Sequence, residues 1–248
     1  MVHPLLLLPL CFLSPGQGQG DVVRVEPWGR NSIRVRSAPA GSTIDDSAPG
    51  ALDPQPPPST AGPARPAGDG LSASSGALRC SHDVQGRLQC FRGAELLLHE
   101  AEPRAWGSTR YPGISNLTLS FALQPDEQIW GLGQTPTDSL DASGTCQDTA
   151  PSNGHILIPL AHSSRGVSFL LNLPSMGQVC VDAHGAPDRR FRWYSRGAIQ
   201  FDIWVTASAS PAAALPAALE AYVAATGRPS PFPHWTTGFW QSKNRCKF

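Results

Sequence analysis

The segment Leu117-Thr118-Leu119-Ser120-Phe121-Ala122-Leu123 alternates strictly, with a large apolar side chain at every odd position and a small or polar one between. Successive side chains of a β-strand point to opposite faces, so this period of two predicts a strand with one buried face. Residues 32–37 and 197–206 show the same alternation, with Ile33 and Val35 on one face of the first and Arg34 and Arg36 on the other. We predict strands at all three places.

Two further segments, 156–160 and 167–173, are almost continuously apolar, which is typical of strands buried on both faces. The chain also contains 24 Gly and 25 Pro, a turn-rich composition that disfavours long helices. Many short strands separated by turn residues are typical of a β-sandwich. We therefore predict a mainly β fold.

Three segments interrupt the strand pattern. Residues 53–75 are almost entirely Pro, Gly, Ala and Ser, which predicts a disordered insertion because little apolar surface is available to offset the ordering entropy. Residues 211–226 are Ala-rich and predict a helix, with Ser210 as its cap and Gly227 as its end. The proline-spaced segment 228–233 predicts a linker, and 235–241 predicts a strand that opens a second domain. The predicted domains are thus 21–227 and 228–248.

The first twenty residues contain an apolar run at 5–13, followed by Pro15 and Gly16. A run of about ten apolar residues is too short to span a bilayer but fits the hydrophobic region of a secretory signal. We predict that 1–20 is a signal peptide, that the protein is secreted or remains in the secretory pathway, and that no membrane span is left after signal removal. The alternative is the start of a buried strand or helix.

Five cysteines are left once Cys11 is removed with the signal. Cys80 and Cys90 lie symmetrically about Gln85-Gly86 in a predicted hairpin, where opposed residues reach disulfide distance. We predict this bridge, the alternative being two unpaired strand cysteines. Asn116-Leu117-Thr118 predicts N-glycosylation at Asn116.

Charge and motif content exclude several classes of function. Lys+Arg and Asp+Glu number 19 each, so no cationic surface for nucleic acid is predicted. No C-x-x-C pair or His cluster indicates a metal site, and no cofactor is predicted. Gly131-Leu132-Gly133 does not continue into a phosphate-binding loop.

The predicted second domain opens with Pro233-His234-Trp235 and then Gly238-Phe239-Trp240-Gln241-Ser242-Lys243. This stretch resembles the entry to the catalytic barrel of glycoside hydrolase family 31, and its α-xylosidase-type members in particular. Other stretches resemble earlier segments of that family in the same order: Ile129-Trp130-Gly131-Leu132-Gly133-Gln134, Ile158-Pro159-Leu160, Ser163-Ser164-Arg165-Gly166-Val167, Asn172-Leu173-Pro174 and Phe201-Asp202-Ile203-Trp204-Val205-Thr206. The ordered set covers most of residues 21–248 apart from the insertion.

The resemblance implies a galactose-mutarotase-like N-terminal β-sandwich, then a short helix and the first strand of a truncated (β/α)₈ barrel. It also implies a carbohydrate substrate and hydrolysis, with retention, of α-linked glucosides or xylosides. Retaining hydrolysis uses two carboxylates, and in the family both lie on later barrel strands. We therefore assign no catalytic residue to this chain and expect it to be an inactive N-terminal fragment of a secreted enzyme. The alternative is a non-enzymatic, secreted carbohydrate-binding module.

Three residues are candidate sugar contacts. Asp148, in Gln147-Asp148-Thr149-Ala150-Pro151, resembles a loop that some family members extend over the pocket, although the same residues suit an ordinary turn. Asn244 and Arg245 follow the predicted first barrel strand, whose C-terminal end faces the active site in such barrels. The alternative for these two residues is an exposed loop.

Overall fold

The computed structural model describes residues 20–57, 65–66, 71–134, 139–150, 154–211 and 214–240. Within these ranges the chain forms sixteen strands in three antiparallel sheets, one α-helix and one short 3₁₀ helix. The prediction of a mainly β fold is confirmed. The strands in chain order are β1 (Val22–Pro27), β2 (Ser32–Ala38), β3 (Arg65–Pro66), β4 (Ser72–Ser75), β5 (Leu78–His82), β6 (Leu88–Arg92), β7 (Glu95–His99), β8 (Ala105–Ser108), β9 (Ser115–Ala122), β10 (Ile129–Gly131), β11 (Thr145–Asp148), β12 (Leu160–Ser163), β13 (Val167–Leu171), β14 (Gly177–Val181), β15 (Arg190–Ala198) and β16 (Phe201–Ala207).

The first sheet has the order β1-β2-β16-β13-β12-β10, and its central strands are buried along their whole length. On its inner face, Ile203 and Val205 join the main hydrophobic core. On its outer face, Trp204 and Leu170 pack with Ala225 of the helix α1 (Ala214–Thr226). Both faces are therefore covered, which is why these strands tolerate continuous apolar sequence.

The second sheet has the order β11-β14-β15-β9-β8 and keeps the alternation predicted for β9. Leu117, Leu119 and Phe121 are buried, whereas Thr118 is exposed on the outer face. Phe169 of the first sheet lies edge-on to Phe121, with ring centroids 5.3 Å apart. Aromatic pairs of this geometry add to the area term of burial, so this contact is one that fastens the two sheets together.

The third sheet, β3-β4-β5-β6-β7, contributes Leu78, Leu88 and Leu98 to the same core. The predicted hairpin at 78–91 is confirmed as β5 and β6. Its turn forms because the Asp83 carboxylate accepts hydrogen bonds from the backbone N–H groups of Gln85 and Arg87, at 2.8 and 2.9 Å.

The prediction of disorder over 53–75 extends too far at both ends, and inside it Arg65–Pro66 form β3, which pairs with β4. Residues 72–75 form β4, which pairs with β5 because its small side chains alternate and Ala73 enters the core. At the other end, the Asp53 N–H donates to the Ala225 carbonyl of α1 at 2.8 Å. Residues 58–64 and 67–70 lie outside the described ranges.

The predicted helix at 211–226 is confirmed from Ala214 onward as α1, whereas its start and the Ser210 cap are not confirmed because 212–213 lie outside the described residues. Gly227, with a φ of +85° that suits glycine, follows its last residue Thr226. In the ranges that the structure describes, no helix is both long enough and apolar enough to cross a membrane. The predicted signal at 1–20 lies outside those ranges except for Gly20.

Two strand predictions are wrong in detail. Residues 197–206 belong to two strands, because β15 ends at Ala198 and β16 begins at Phe201, with a bend between them. Of 156–160 only Leu160 lies in a strand: Ile156 makes an isolated bridge to Gln134, and Pro159 has no N–H to donate to a ladder.

The expected barrel strand at 235–241 is not present in its described part. Residues His234–Thr237 form a 3₁₀ helix instead, and no described strand pairs with them. The Thr236 and Thr237 hydroxyls donate to the carbonyls of Pro233 and His234, at 2.7 and 2.8 Å. These local hydrogen bonds compete with the extended conformation when no neighbouring strand supplies a ladder.

Candidate functional site

Asp148 is the last residue of β11, an edge strand of the second sheet whose one partner among the described strands is β14. Its side chain is exposed, and Gln178 Nε2 donates to Asp148 Oδ1 at 3.4 Å. The next residue anchors the backbone: Thr149 is buried, its N–H donates to the Gly177 carbonyl at 2.9 Å and its hydroxyl to the Ser175 carbonyl at 3.0 Å. The carboxylate therefore stands on a fixed backbone with most of its acceptor capacity facing solvent.

A groove of about 720 Å³ lies beside β11, between it and the end of β10. We name it the β10–β11 groove; it is lined by Trp130, Gly131, Gly133, Gln134, Ser139, Leu140, Ala142, Thr145, Gln147, His162 and Leu215. Gln147 enters the groove from β11, and its Oε1 is buried without a hydrogen-bond partner among the residues that the structure describes. The volume and the mixture of an indole with amide groups fit a small polar ligand.

The Gly131-Leu132-Gly133 stretch shapes one wall of this groove. All three residues have positive φ, at 96°, 63° and 95°. A Cβ at Gly133 would lie 1.9 Å from the Ile156 carbonyl oxygen, and one at Gly131 would lie 2.4 Å from that of Leu160. Glycine is required here because the backbone both turns left-handed and approaches a second segment of chain.

Among the described residues that line the groove, His162 is the one with a titratable side chain. Its ring is buried and its Nδ1 lies 2.8 Å from the Ser168 hydroxyl. Burial lowers the pKa of His162 below its usual range, so the ring is neutral at physiological pH. A neutral imidazole held by a hydroxyl is a hydrogen-bonding group rather than a source of positive charge.

The buried carboxylates of the described residues are all held by structural partners. Glu100 accepts two hydrogen bonds from Arg104, and Asp202 accepts two from Arg34. Glu127 accepts from the Ser163 hydroxyl and from the Gln124 N–H. Paired carboxylates free to act as nucleophile and acid are therefore absent from the buried, described part of the chain.

The structure does not bring the predicted sugar contacts together, since Asn244 and Arg245 lie outside the described residues. Asn116 lies half-buried on β9, opposite Gly107 of β8. Cys80 and Cys90 are joined by a disulfide across β5 and β6. A second disulfide, Cys146–Cys180, joins β11 to β14 and was not predicted, because a separation of 34 residues gives no local signal of pairing.

Comparison with known proteins shows which proteins are similar to this chain in sequence. No family model matches the chain. It is 27% identical over 256 residues to a family 31 glucosidase of Pseudescherichia vulneris, an alignment that covers 92% of this chain and 45% of the relative. It is 30% identical over 170 residues to α-xylosidase A of Aspergillus niger, covering 64% of this chain and 22% of the relative.

A solved structure of the same family is also similar to this chain. The family 31 α-xylosidase from a soil metagenome, complexed with xylose, matches with a TM-score of 0.73 and 29% identity over 89% of this chain and 34% of that one. The chain is a homologue of family 31 glycoside hydrolases. It corresponds to their N-terminal part and spans about half or less of the length of these relatives.

The segments that resemble family 31 lie at the groove wall and in the core of the first sheet. The Gly131-Leu132-Gly133 stretch is the left-handed turn of the groove wall, and Phe201–Ala207 is the fully buried β16. Asn172 links residue 51 to β16: its Oδ1 accepts the Ala51 N–H at 2.7 Å and its Nδ2 donates to Asp202 at 2.8 Å. The residues of these segments are therefore explained by their structural roles, without reference to a substrate.

Proposed function

We propose that this chain is the N-terminal part of a retaining α-glycosidase that hydrolyses O-glycosyl bonds of α-linked glucosides or xylosides. The observation that carries the proposal is the match to a family 31 α-xylosidase at 29% identity and TM-score 0.73 over 89% of the chain. The relatives of Pseudescherichia vulneris and Aspergillus niger support the same class of enzyme.

The proposal assigns the bond-breaking chemistry to carboxylates outside these 248 residues. A retaining glycosidase needs two carboxyl groups about 5–5.5 Å apart, one as nucleophile and one as acid and base. Glu100, Glu127 and Asp202 are unsuited to either role, because each is buried and satisfied by hydrogen bonds within the fold. We therefore expect this chain alone to be inactive.

In this proposal the chain supplies sugar contacts rather than the reacting groups. The exposed Asp148 carboxylate, fixed on its backbone by Thr149, is suited to accept hydrogen bonds from sugar hydroxyls. A charged acceptor makes a stronger bond to a hydroxyl than a neutral one does. Asp148 would then act on substrate affinity and orientation.

Secretion belongs to the same proposal. Disulfides form and persist in oxidising compartments, and the described residues contain two of them. We propose that residues 1–20 direct the chain into the secretory pathway and that Asn116 carries an N-linked glycan there. Mass spectrometry of the protein from culture medium, before and after enzymatic deglycosylation, tests both the cleavage and the glycan.

A second candidate, sugar binding without catalysis, is favoured by one surface. The outer face of the second sheet carries Asp148, Gln178, Tyr194 and Thr118 in one cross-strand row. Tyr194 is 37% exposed and stands next to an amide. An exposed aromatic ring beside hydrogen-bonding side chains is suited to a sugar.

The test of the enzyme proposal is Asp148→Asn in the hydrolytically active protein that contains this chain. Loss of a charged hydrogen bond costs about 1.5–3 kcal/mol, so we expect kcat/KM for p-nitrophenyl α-D-xylopyranoside or α-D-glucopyranoside to fall about 10- to 100-fold. Asp126→Asn, at an exposed turn, is the matched control and should change nothing. Equal kinetics for the two variants would exclude Asp148 as a sugar contact. Binding of xylo- or gluco-oligosaccharides by this chain, in a protein that has no hydrolytic activity, would favour the second candidate.

A further inference from the structure

The two disulfides have the same cross-strand geometry but opposite surroundings. Cys80 and Cys90 oppose each other on β5 and β6, and both are 0% exposed within the main core. Cys146 and Cys180 oppose each other on β11 and β14, where Cys146 is exposed and Cys180 partly exposed. Thiol–disulfide exchange requires a thiolate to reach one of the two sulfurs, so only the second bridge is accessible in the folded protein.

The accessible disulfide also lies at an edge of its sheet. β11 is four residues long, forms one edge of the second sheet and pairs with no described strand other than β14. Backbone hydrogen bonds from Gly144 to Val181 and from Thr149 to Gly177, both within 3.0 Å, flank the bridge. A short edge strand held on one side has low local stability, so a covalent link across it has a large share in holding it.

The difference in exposure between the two sulfurs favours one direction of attack. Cys180 is paired on its other side with Arg192 of β15, so the row across the outer face runs Cys146, Cys180, Arg192. Cross-strand neighbours lie about 4.5–5.5 Å apart at Cβ. The Arg192 guanidinium is paired with the Asp182 carboxylate, so its charge is compensated within the protein. Cys146 is the more exposed cysteine of the bridge, so an external thiolate reaches its sulfur first and Cys180 is the leaving group.

We propose that Cys146–Cys180 is a thiol–disulfide exchange site, opened by a small dithiol, that determines whether β11 is held to the sheet. The dithiol's thiolate forms a bond to Cys146 Sγ as the Cys146–Cys180 bond breaks, and the electron pair leaves on Cys180 Sγ, which takes up a proton. The second thiol of the reductant then attacks the mixed disulfide, releasing the Cys146 thiol and a cyclic disulfide. Two electrons and two protons pass from the dithiol to the protein.

The consequence for sugar contact rests on the proposed function. Asp148 and Cys146 are two residues apart on the same face of β11, so the bridge holds the segment that carries the carboxylate. Opening the bridge frees β11 to leave β14 and removes the fixed backbone beneath Asp148. The exchange site itself is independent of whether Asp148 binds sugar.

The test uses the oxidised chain, with any free thiol first blocked by N-ethylmaleimide. Dithiothreitol is added in steps under native conditions, newly formed thiols are alkylated with iodoacetamide, and each cysteine is quantified by peptide mass spectrometry. We expect Cys146 and Cys180 to be labelled about tenfold or more faster than Cys80 and Cys90, because a buried bridge reacts only after local opening. Equal rates, or earlier labelling of Cys80 and Cys90, would overturn the proposal.

Amide hydrogen exchange tests the second half of the proposal. Peptides covering residues 144–149 should exchange faster after selective reduction, and equally fast in Cys146→Ser/Cys180→Ser, whereas peptides covering 78–92 should not change. Unchanged protection of 144–149 after opening would refute the role of the bridge in holding β11. Neither measurement involves a sugar, so failure of the proposed function would leave both results intact.

Discussion

Replacing Asp202 by alanine should cost the protein about 3–5 kcal/mol of its free energy of unfolding, because it removes one partner of a buried ion pair. Asp202 is 1% exposed, and its two oxygens accept hydrogen bonds from Arg34 Nε and Nη2, at 3.0 and 2.6 Å. Asn172 Nδ2 donates to the same carboxylate at 2.8 Å. The substitution leaves Arg34, itself buried, as an uncompensated charge, and leaves the Asn172 amide without its acceptor.

The assay is urea unfolding followed by tryptophan fluorescence, since Trp204 lies next to Asp202 in β16 and Trp28 contacts Arg34. With a slope of about 2–3 kcal/mol per molar urea, the midpoint should fall by about 1–2 M. Glu102→Ala is the matched control: it breaks the exposed Arg190–Glu102 pair and should cost less than about 1 kcal/mol.

A double variant separates pairing from packing. Arg34→Met/Asp202→Leu replaces the ion pair with apolar groups of similar size and should recover much of the loss, because no charge is then left buried alone. If Asp202→Ala shifts the urea midpoint no more than Glu102→Ala does, the Arg34–Asp202 pair does not stabilise the first sheet and the reasoning is refuted.

Three further outcomes are expected. His82 is neutral because burial and then the Arg104 charge lower its pKa to about 4, whereas an unfolded histidine titrates near 6.5. Its contribution to the free energy of unfolding is therefore complete above pH 6.5, and about 3 kcal/mol of it is lost as the pH falls to 4. His82→Gln should flatten that part of the profile of stability against pH, and an unchanged profile would contradict the prediction. Phe169→Ala should cost about 3–5 kcal/mol in urea unfolding, because it empties the contact between the first two sheets; a loss below 1 kcal/mol would exclude that contact as important. Gly177→Ala should raise amide exchange along β14, since its Cβ would lie 1.8 Å from the Tyr194 carbonyl oxygen; normal protection there would show that the strands can separate without cost.

The sequence was sufficient for the elements whose periodicity is local. Residues 117–122 lie in β9 with the predicted buried face, and the Asp83 turn produces the hairpin that carries Cys80 and Cys90. The helix at 214–226 follows from its Ala-rich composition and its terminal Gly227. In each case the residues that decide the element lie within it.

The failures occur where tertiary contacts decide. Alternation in β2 places Arg34 and Arg36 on the face opposite Ile33, yet both arginines are buried. Asp202, 168 residues away, pairs with Arg34, and Glu26 and Asp46 pair with Arg36. The alternation of residues in a strand shows which side chains share a face, but not which other element covers that face. The same limit applies to the Cys146–Cys180 bridge, whose partners meet only after β11 and β14 pair.

The candidate site was predicted only in part, for a related reason. The family resemblance singled out Asp148 and the Gly131-Leu132-Gly133 stretch. It did not show that the glycines line the β10–β11 groove, or that Asp148 ends the strand that borders this groove. Gln147 was not predicted as a groove residue, because a polar residue in an edge strand is ordinary in sequence. Its unpartnered Oε1 becomes evident only from the packing.

The central claim is that this chain is the N-terminal part of a retaining α-glycosidase, and the most direct measurement is the size and activity of the protein in its natural source. An antibody raised against this chain is used to isolate the protein, which is then weighed by mass spectrometry and assayed with p-nitrophenyl α-xyloside and α-glucoside. We predict a polypeptide well above 26.3 kDa that hydrolyses at least one of the two with retention. A folded species of about 26.3 kDa or less, without hydrolytic activity, as the sole product would contradict the account.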